Sequence, residues 1–399
     1  MIINHLSLTN FRVFSRLELE FPSKLNMIVG RNAQGKTSIL EGIHLLSLLT
    51  SPIASNDHQM VNFLCLEEEI PVGRLVATIE KADKTHSIEV RLIFVKGNHG
   101  GSRLRKEVLI DGNKRKLLDS VGFFNSVLFL PQMMRIIEDG PHERRKYFDR
   151  TLSQAYPNYV RALSRYNQAI TKRNALLKQL FEQGGPRDQL GYWDDLVAEN
   201  GALIIFLRDA AVKSMNEHML SHHDQLTNGD EKIILVYQPS LEIPGAKIDL
   251  NHVKKLQADH HIPDKAQIKE LFLKRLLDLQ NEEVRRGVTT IGPHRDDLRF
   301  FSNGLDLGVY GSRGQIRTAI MTLKFAELNW LEEKTGETPV LLLDETLAEL
   351  DHNRRENLMH VLEKNSQSIM TTTDLHLFDN AFISKNTIWQ IHEGKIKES

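Results

Sequence analysis

Gly30-Arg31-Asn32-Ala33-Gln34-Gly35-Lys36-Thr37 has the spacing G-x-x-x-x-G-K-[ST] of a phosphate-cradling loop. Glycines permit a tight turn whose backbone N–H groups wrap an anion. Lys36 would neutralise the terminal phosphates, and Thr37 would offer a hydroxyl to a hard divalent cation such as Mg2+. The setting agrees with this chemistry: Leu25 to Val29 is an apolar run, and Ile39, Leu40, Ile43 and Leu46 then recur at helical spacing. The loop therefore opens a helix whose positive N-terminal end favours anions. That arrangement predicts an ATP site and separates the segment from an ordinary glycine turn.

Leu341-Leu342-Leu343-Asp344-Glu345 is an apolar run ending in two acids. Asp344, at the carboxyl end of a buried strand, would hold hydrated Mg2+, and Glu345 would polarise an attacking water as general base. Alone, such a run is equally an ordinary strand end; the phosphate loop favours the metal reading. Tyr310-Gly311-Ser312-Arg313-Gly314-Gln315 resembles the signature sequence of ABC ATPases and precedes a helical stretch, Ile316 to Leu331. That resemblance implies that Ser312, Gly314 and Gln315 address the γ-phosphate of ATP held by a second subunit; a plain helix cap is the alternative. By the same resemblance, Ala348-Glu349-Leu350-Asp351 corresponds to the D-loop. Thr371-Thr372-Thr373-Asp374 corresponds to the γ-phosphate switch, and Gln132 in Phe129-Leu130-Pro131-Gln132 to the Q-loop ligand of metal and water.

The elements that must position these residues alternate in character. Leu17, Leu19 and Phe21 alternate with Glu18 and Glu20, and further strand-like runs cover 74–80, 87–95 and 107–110, the last closed by Asp111-Gly112. From about residue 143 the pattern turns helical. Tyr156, Tyr159, Leu163, Tyr166, Ile170, Leu177 and Leu180 form a heptad stripe interrupted by Arg173, with Arg161, Arg165 and Lys172 on the opposite side. A turn at 182–189 and a second stripe, Trp193 to Ala211, predict a short antiparallel helical hairpin. A strand at 232–237, a helix at about 265–285 and a buried strand at 340–343 follow. The fold class expected is α/β: a P-loop ABC-type ATPase head (mixed sheet with helices) carrying an inserted, mainly helical second lobe. The expected segments are 1–117 (head, N-terminal part), 118–287 (helical lobe with the hairpin) and 288–399 (head, C-terminal part).

Here the resemblance becomes specific. Leu8-Thr9-Asn10-Phe11-Arg12, the phosphate loop, the block Gly140-Pro141-His142-Glu143-Arg144-Arg145-Lys146-Tyr147-Phe148-Asp149 and the run from Arg165 to Lys178 carry it. So do Ile291-Gly292-Pro293-His294-Arg295-Asp296-Asp297-Leu298 and the signature, Asp344 and Thr-Thr-Thr-Asp elements. Together they resemble the RecF family of bacterial recombination-repair ATPases over nearly the whole chain. The resemblance implies an ATP-driven homodimer that binds gapped, single-stranded or junction DNA, with weak DNA-dependent ATPase activity as its switch. It further implies action with RecO and RecR proteins to load recombinase, in repair, replication restart and the SOS response. Arg12 joins the nucleotide-contacting residues on the same ground. The chain departs from the family wording at Ala33 (often Gly), Arg313 (usually Gln) and Glu345 (often Asp).

Bulk composition fits a two-domain globular chain but advertises no nucleic-acid partner, since 51 Lys+Arg face 52 Asp+Glu. DNA contacts must therefore come from local clusters. Arg103, Arg105, Lys106, Lys114, Arg115 and Lys116 form one, and the Arg161/Arg165/Lys172 face another. Either cluster, taken alone, is also an ordinary solvated face. Cys65 is the single cysteine, so no intrachain disulfide framework exists. No apolar run approaches the roughly 18 residues of a membrane span, and the N-terminus lacks a signal-peptide layout; a cytoplasmic protein is expected. His218, His222 and His223 have metal-compatible spacing but no completing acid or cysteine, and read as a solvated helix end. The alternatives weighed are an SMC/Rad50-type DNA tether, a transporter nucleotide-binding subunit, a defence ATPase paired with a separate nuclease, and a non-hydrolysing scaffold.

Overall fold

The computed structural model describes every residue except 23, 68–70, 83, 97–101, 244–262, 346–349, 351, 379, 393 and 399. The chain forms two compact units, Met1–Met133 with Glu327–Ser399, and Met134–Ala326. These boundaries differ from the segments drawn on sequence. Residues 118–133 join the first unit because the short strand Ser126–Phe129 pairs in parallel with Val340–Asp344. The residues from 288 to 326 join the second, because Asp297–Ser302 pairs with Ile233–Gln238.

The first unit contains two six-stranded sheets. One is antiparallel, in the order Phe14–Glu20, Ile2–Phe11, Val72–Lys81, Lys84–Lys96, Ser102–Ile110, Asn113–Arg115. Its alternation puts Leu6, Leu8, Leu75, Ala77, Val90 and Leu92 into the core and leaves the other face polar. The other sheet runs Lys395–Glu398, Thr387–His392, Leu25–Val29, Ser368–Thr372, Val340–Asp344, Ser126–Phe129, parallel except at its first pair. Val340–Asp344 and Ser368–Thr372 are buried throughout, as strands covered on both faces must be. The helix Lys36–Leu48 shares one apolar cluster with both sheets. Sequence spacing predicts a single apolar face for it; in the structure Ile39, Leu40, Glu41, Ile43, His44, Leu45 and Leu46 are all buried, because sheets enclose it on more than one side.

The second unit is mainly helical. Pro157–Gln183 and the 39-residue Gln189–Thr227 form the expected hairpin. A third helix, Lys265–Arg286, packs on both, entered through a capping box in which Asp264 and Gln267 satisfy each other's backbone N–H groups. Arg173, which breaks the heptad stripe, is fully buried: it donates to Asp194 at 2.6 Å, Glu283 at 2.6 Å and Thr289 at 2.8 Å. One cation thereby ties all three helices together. Among the described residues no helix is long and apolar enough to cross a membrane.

Candidate functional site

The strands Leu25–Val29, Ser368–Thr372, Val340–Asp344 and Ser126–Phe129 are parallel neighbours, so the segments that follow them emerge at one sheet edge. That edge is where open α/β sheets bind ligands. The phosphate loop follows the first strand, and it closes through Gly35 at φ 100, where a Cβ would come within 2.7 Å of Phe14 and Val13 side-chain atoms. Ala33 also has positive φ, 64°, so the family's frequent glycine here relieves backbone strain of about 1 kcal/mol as well as saving space.

Lys36 is buried and donates to the Gly30 carbonyl at 2.6 Å and the Arg31 carbonyl at 2.9 Å. Its ammonium also lies 3.0 Å from Glu345 Oε1. Thr37 Oγ1 donates to Asp344 Oδ2 at 2.8 Å, and Thr371 Oγ1 donates to Asp344 Oδ1 at 2.7 Å. Burial raises the Asp344 pKa; the two hydroxyl donors and Lys36 oppose that shift. Glu345 is held at φ 45 with its N–H shared between Thr371 O and Oγ1, both at 3.2 Å. Side chains far apart in sequence thus converge on one spot. Hard oxygen donors at Thr37 and Asp344, with Lys36 alongside, fit a divalent cation bound with phosphate.

Sequence spacing does not single out Thr371. Its signal is strand register: Thr371 lies opposite Asp344. Thr373, in the same expected switch segment, is exposed one position beyond the strand, while the Thr372 carbonyl accepts from Gly30 N at 3.3 Å. Gln132 is exposed in the turn Pro131–Met134, beyond a strand that ends beside Leu343. Arg31, Asn32 and Ala33 are exposed, and Gln34 is partly buried. Asp351 lies outside the described residues, as do Ala348 and Glu349. Arg12 is placed differently from a free nucleotide contact. Its guanidinium forks onto the buried Glu41 at 2.7 and 2.5 Å and donates to the Gln59 carbonyl at 2.9 Å.

The signature segment belongs to the second unit. Ser312 Oγ accepts from Gln315 N at 3.2 Å while Gln315 Oε1 accepts from Ser312 N at 3.0 Å, a reciprocal cap on the helix Arg313–Thr335. Gly314 has open space at its Cβ position, with only Ser312 Oγ within 4 Å, at 3.9 Å.

Strand parity sets Lys106 apart from Arg103 and Arg105. Arg103, Arg105, Lys114, Arg115 and Lys116 are exposed. Lys106 is not part of that rim. It shares the parity of Val108 and Ile110, and its ammonium is held by the Leu49 carbonyl at 2.7 Å and Asp57 at 2.8 Å. The same sheet face adds Arg74 and Arg91, which alternation could have supplied; Arg91 pairs across strands with both Arg74 and Glu107. Hydrogen bonding from Arg74 holds the Glu89 pKa low, and from Lys114 that of Glu107, so both carboxylates stay ionised within the patch. In the second unit Arg161, Arg165 and Lys172 are exposed on one helix.

The blocks 140–149 and 291–298 that help carry the family resemblance meet inside the second unit. Arg144 forks onto Asp297 at 2.8 and 3.0 Å, and Arg145 donates to the Asp296 carbonyl at 2.6 Å. Gly292 has φ 111, and a Cβ there would come within 2.5 Å of the Phe272 ring. His294 Nδ1 accepts from the Tyr166 hydroxyl at 2.7 Å and its Nε2–H faces the Thr289 carbonyl at 3.2 Å, a neutral imidazole. Arg295 alone of this block is exposed. His218, His222 and His223 hold no metal cluster, none being found among the described residues. They are not a solvated helix end either, since His223 is buried and His222 lies edge-on to Phe325 at 5.5 Å.

Burial lowers the His294 pKa to about 4, against 6.5 for an ordinary histidine. The unfolded chain therefore takes up a proton below pH 6.5 that the folded chain refuses until about pH 4. Stability is complete above the upper value and falls as pH drops through that window, by about 2 kcal/mol at pH 5 from this residue. Thermal midpoints of wild type and His294→Gln between pH 7 and 5 check this; the variant should lose less, and parallel losses would exclude the assignment.

The chain matches the family described as RecF/RecN/SMC N terminal domain over residues 2–397. It is 36% identical to the DNA replication and repair protein RecF of Roseiflexus castenholzii, covering 99% of both chains. Against the protein of that name from Halalkalibacterium halodurans it is 31% identical over the full length of both. A solved structure of the recombination mediator protein RecF with ATP, in the RecFOR pathway, superposes with a TM-score of 0.84 at 32% identity, covering 100% of this chain and 97% of that one. An SMC head bound to the C-winged helix domain of ScpA shares the fold alone, with a TM-score of 0.51 and 13% identity.

Proposed function

The chain belongs to the RecF/RecN/SMC N-terminal-domain family as one of its RecF proteins, and from that premise we propose an ATP-dependent DNA-binding protein of recombinational repair, replication restart and the SOS response. The observation that carries the reading is the convergence of Lys36, Thr37, Asp344, Glu345 and Thr371 at one sheet edge. An arriving γ-phosphate takes over the Lys36 ammonium from Glu345. That frees a carboxylate next to the phosphate to orient water. Thr37 and Asp344 would hold Mg2+, which when bound would neutralise phosphate charge. By family resemblance Gln132 completes this half, and Asp351 belongs to the D-loop that crosses the dimer interface.

Ser312 and Gly314 offer their helix N-terminus to ATP held by a second copy, so two copies close around two nucleotides. Closure follows from the higher affinity of the dimeric state for ATP, and hydrolysis reverses it. Gapped or junction DNA binds through phosphate contacts at Arg103, Arg105, Lys114, Arg115 and Lys116 and at Arg161, Arg165 and Lys172, and RecO and RecR proteins act with the complex in loading recombinase.

The test is molecular mass in solution with and without Mg·ATP, followed by gapped duplex at two salt concentrations. Dimerisation only with ATP, and DNA binding that follows it, is the expected result. The double substitution Arg103→Ala/Arg105→Ala should weaken DNA binding and flatten the dependence of log K on log salt by about 0.9 for each duplex phosphate that the variant no longer neutralises. A monomer in every nucleotide state that binds no DNA would overturn the reading.

A further inference from the structure

We propose that Glu231 is a positioning residue for the signature loop, acting through Gln315. The inference rests on the nucleotide-sandwich reading above and adds the group that fixes the trans-acting half of the site. A signature loop can receive the γ-phosphate of a second copy only if Ser312 and the N–H groups near Gly314 are already aimed, because ordering them on contact would cost affinity.

Of the two bonds of the reciprocal cap, the one made by the Gln315 side chain is its amide oxygen Oε1 accepting from Ser312 N at 3.0 Å. An unrestrained glutamine amide would rotate away or flip. Here its other end is held: Gln315 Nε2 donates to Glu231 Oε1 at 3.1 Å. The opposite carboxylate oxygen accepts from Ser302 Oγ at 3.1 Å. Glu231 therefore fixes which end of the amide faces Ser312. It is itself anchored on both sides in sequence. It follows the long helix Gln189–Thr227, whose Thr227 hydroxyl faces the Glu231 carbonyl at 3.5 Å, and it precedes the strand Ile233–Gln238 that pairs with Asp297–Ser302. His223 Nε2 lies 3.8 Å from the same carboxylate and, buried and neutral with Nδ1 on Thr322 at 3.0 Å, does not compete as a charged partner.

Both ends of the Gln315 side chain are thus used as a brace within its own unit. A carboxylate acceptor makes the stronger kind of hydrogen bond, and the rest of the Glu231 side chain is partly exposed, so its removal perturbs the loop more than the packing.

The experiment uses the full chain and measures ATP affinity at low protein concentration, the dimer dissociation constant with Mg·ATP, and turnover against protein concentration. Glu231→Ala should leave ATP binding by the isolated subunit unchanged and weaken ATP-driven dimerisation about tenfold or more. Glu231→Gln, which keeps an acceptor oxygen for Gln315, should recover most of that loss. Gln315→Ala should match Glu231→Ala, and the double variant should be no worse than either single one. Ser312→Arg, which blocks the loop directly, serves as the reference. If Ser312→Arg abolishes dimerisation while Glu231→Ala dimerises as wild type, or if the two losses add, the positioning role is wrong. If wild type itself fails to dimerise with ATP, the sandwich reading falls and takes this inference with it.

Discussion

Replacing Glu345 by glutamine is expected to lower ATP turnover by roughly 10²- to 10⁴-fold while leaving ATP binding intact. Glu345 Oε1 lies 3.0 Å from the Lys36 ammonium, the group proposed above to bind the terminal phosphate. Its backbone is held at φ 45 by two contacts to Thr371, so the carboxylate reaches the phosphate loop from a fixed base. Glutamine keeps the size and the backbone hydrogen bonds but cannot take a proton from water. It also removes a negative charge beside the phosphates, so ATP affinity should hold or rise and the ATP-bound dimer should persist longer. Single-turnover phosphate release and ATP affinity, measured on the same preparation, separate the two effects. Unchanged phosphate release would show that Glu345 is not the base.

The parts of this site that are local in sequence were legible there. Strand, loop and helix around Lys36 follow from a glycine pattern with apolar flanks, and the Asp344 strand from an uninterrupted apolar run. Non-local pairing was not legible. Arg12 reads by resemblance as a nucleotide contact, yet Glu41, on the helix that follows the phosphate loop, holds its guanidinium. Lys106 reads as one basic residue among several, although the parity of Val108 and Ile110 already places it on the inner face. Thr371 and Thr373 are the same residue type two apart, and only register shows that Thr371 lies opposite Asp344.

Helical periodicity has the matching blind spot. It marks Arg173 as an interruption of the stripe but says nothing of Asp194, Glu283 and Thr289, which make burial of that cation tolerable. The packing of the third helix, Lys265–Arg286, and the boundaries of the two units depend on similar long-range pairings. The diagnostic blocks around Arg144 and Asp296 are visible as wording. Their chemistry is an interlock of two motifs within one unit, and residues about 150 positions apart give no local signal that they will meet.

That interlock carries the largest stability prediction. Arg208→Met should destabilise the helical unit by about 3–5 kcal/mol, lowering its thermal midpoint by roughly 10 °C for a unit of this size. Arg208 is fully buried and binds four groups: Asp149 at 2.8 Å, Asp296 at 3.2 Å, the Pro293 carbonyl at 2.8 Å and the Tyr159 hydroxyl at 3.1 Å. Its coulombic partners outweigh burial and keep it charged. Tyr237 and Ser240 N also donate to Asp296, and Tyr159 donates to Asp149. Methionine nearly fills the volume, so little of the loss comes from a cavity. The loss comes from Asp296, which stays buried with its charge no longer balanced. Asp296→Asn in the same background should then recover part of the stability, since the amide relieves the unpaired charge, and that non-additivity is the signature of a direct pair. Purely additive losses would instead mean that Arg208 acts through packing alone. The same unit carries Ser312, so the variant should also weaken ATP-driven dimerisation near its lowered midpoint while leaving the Lys36 site able to bind nucleotide.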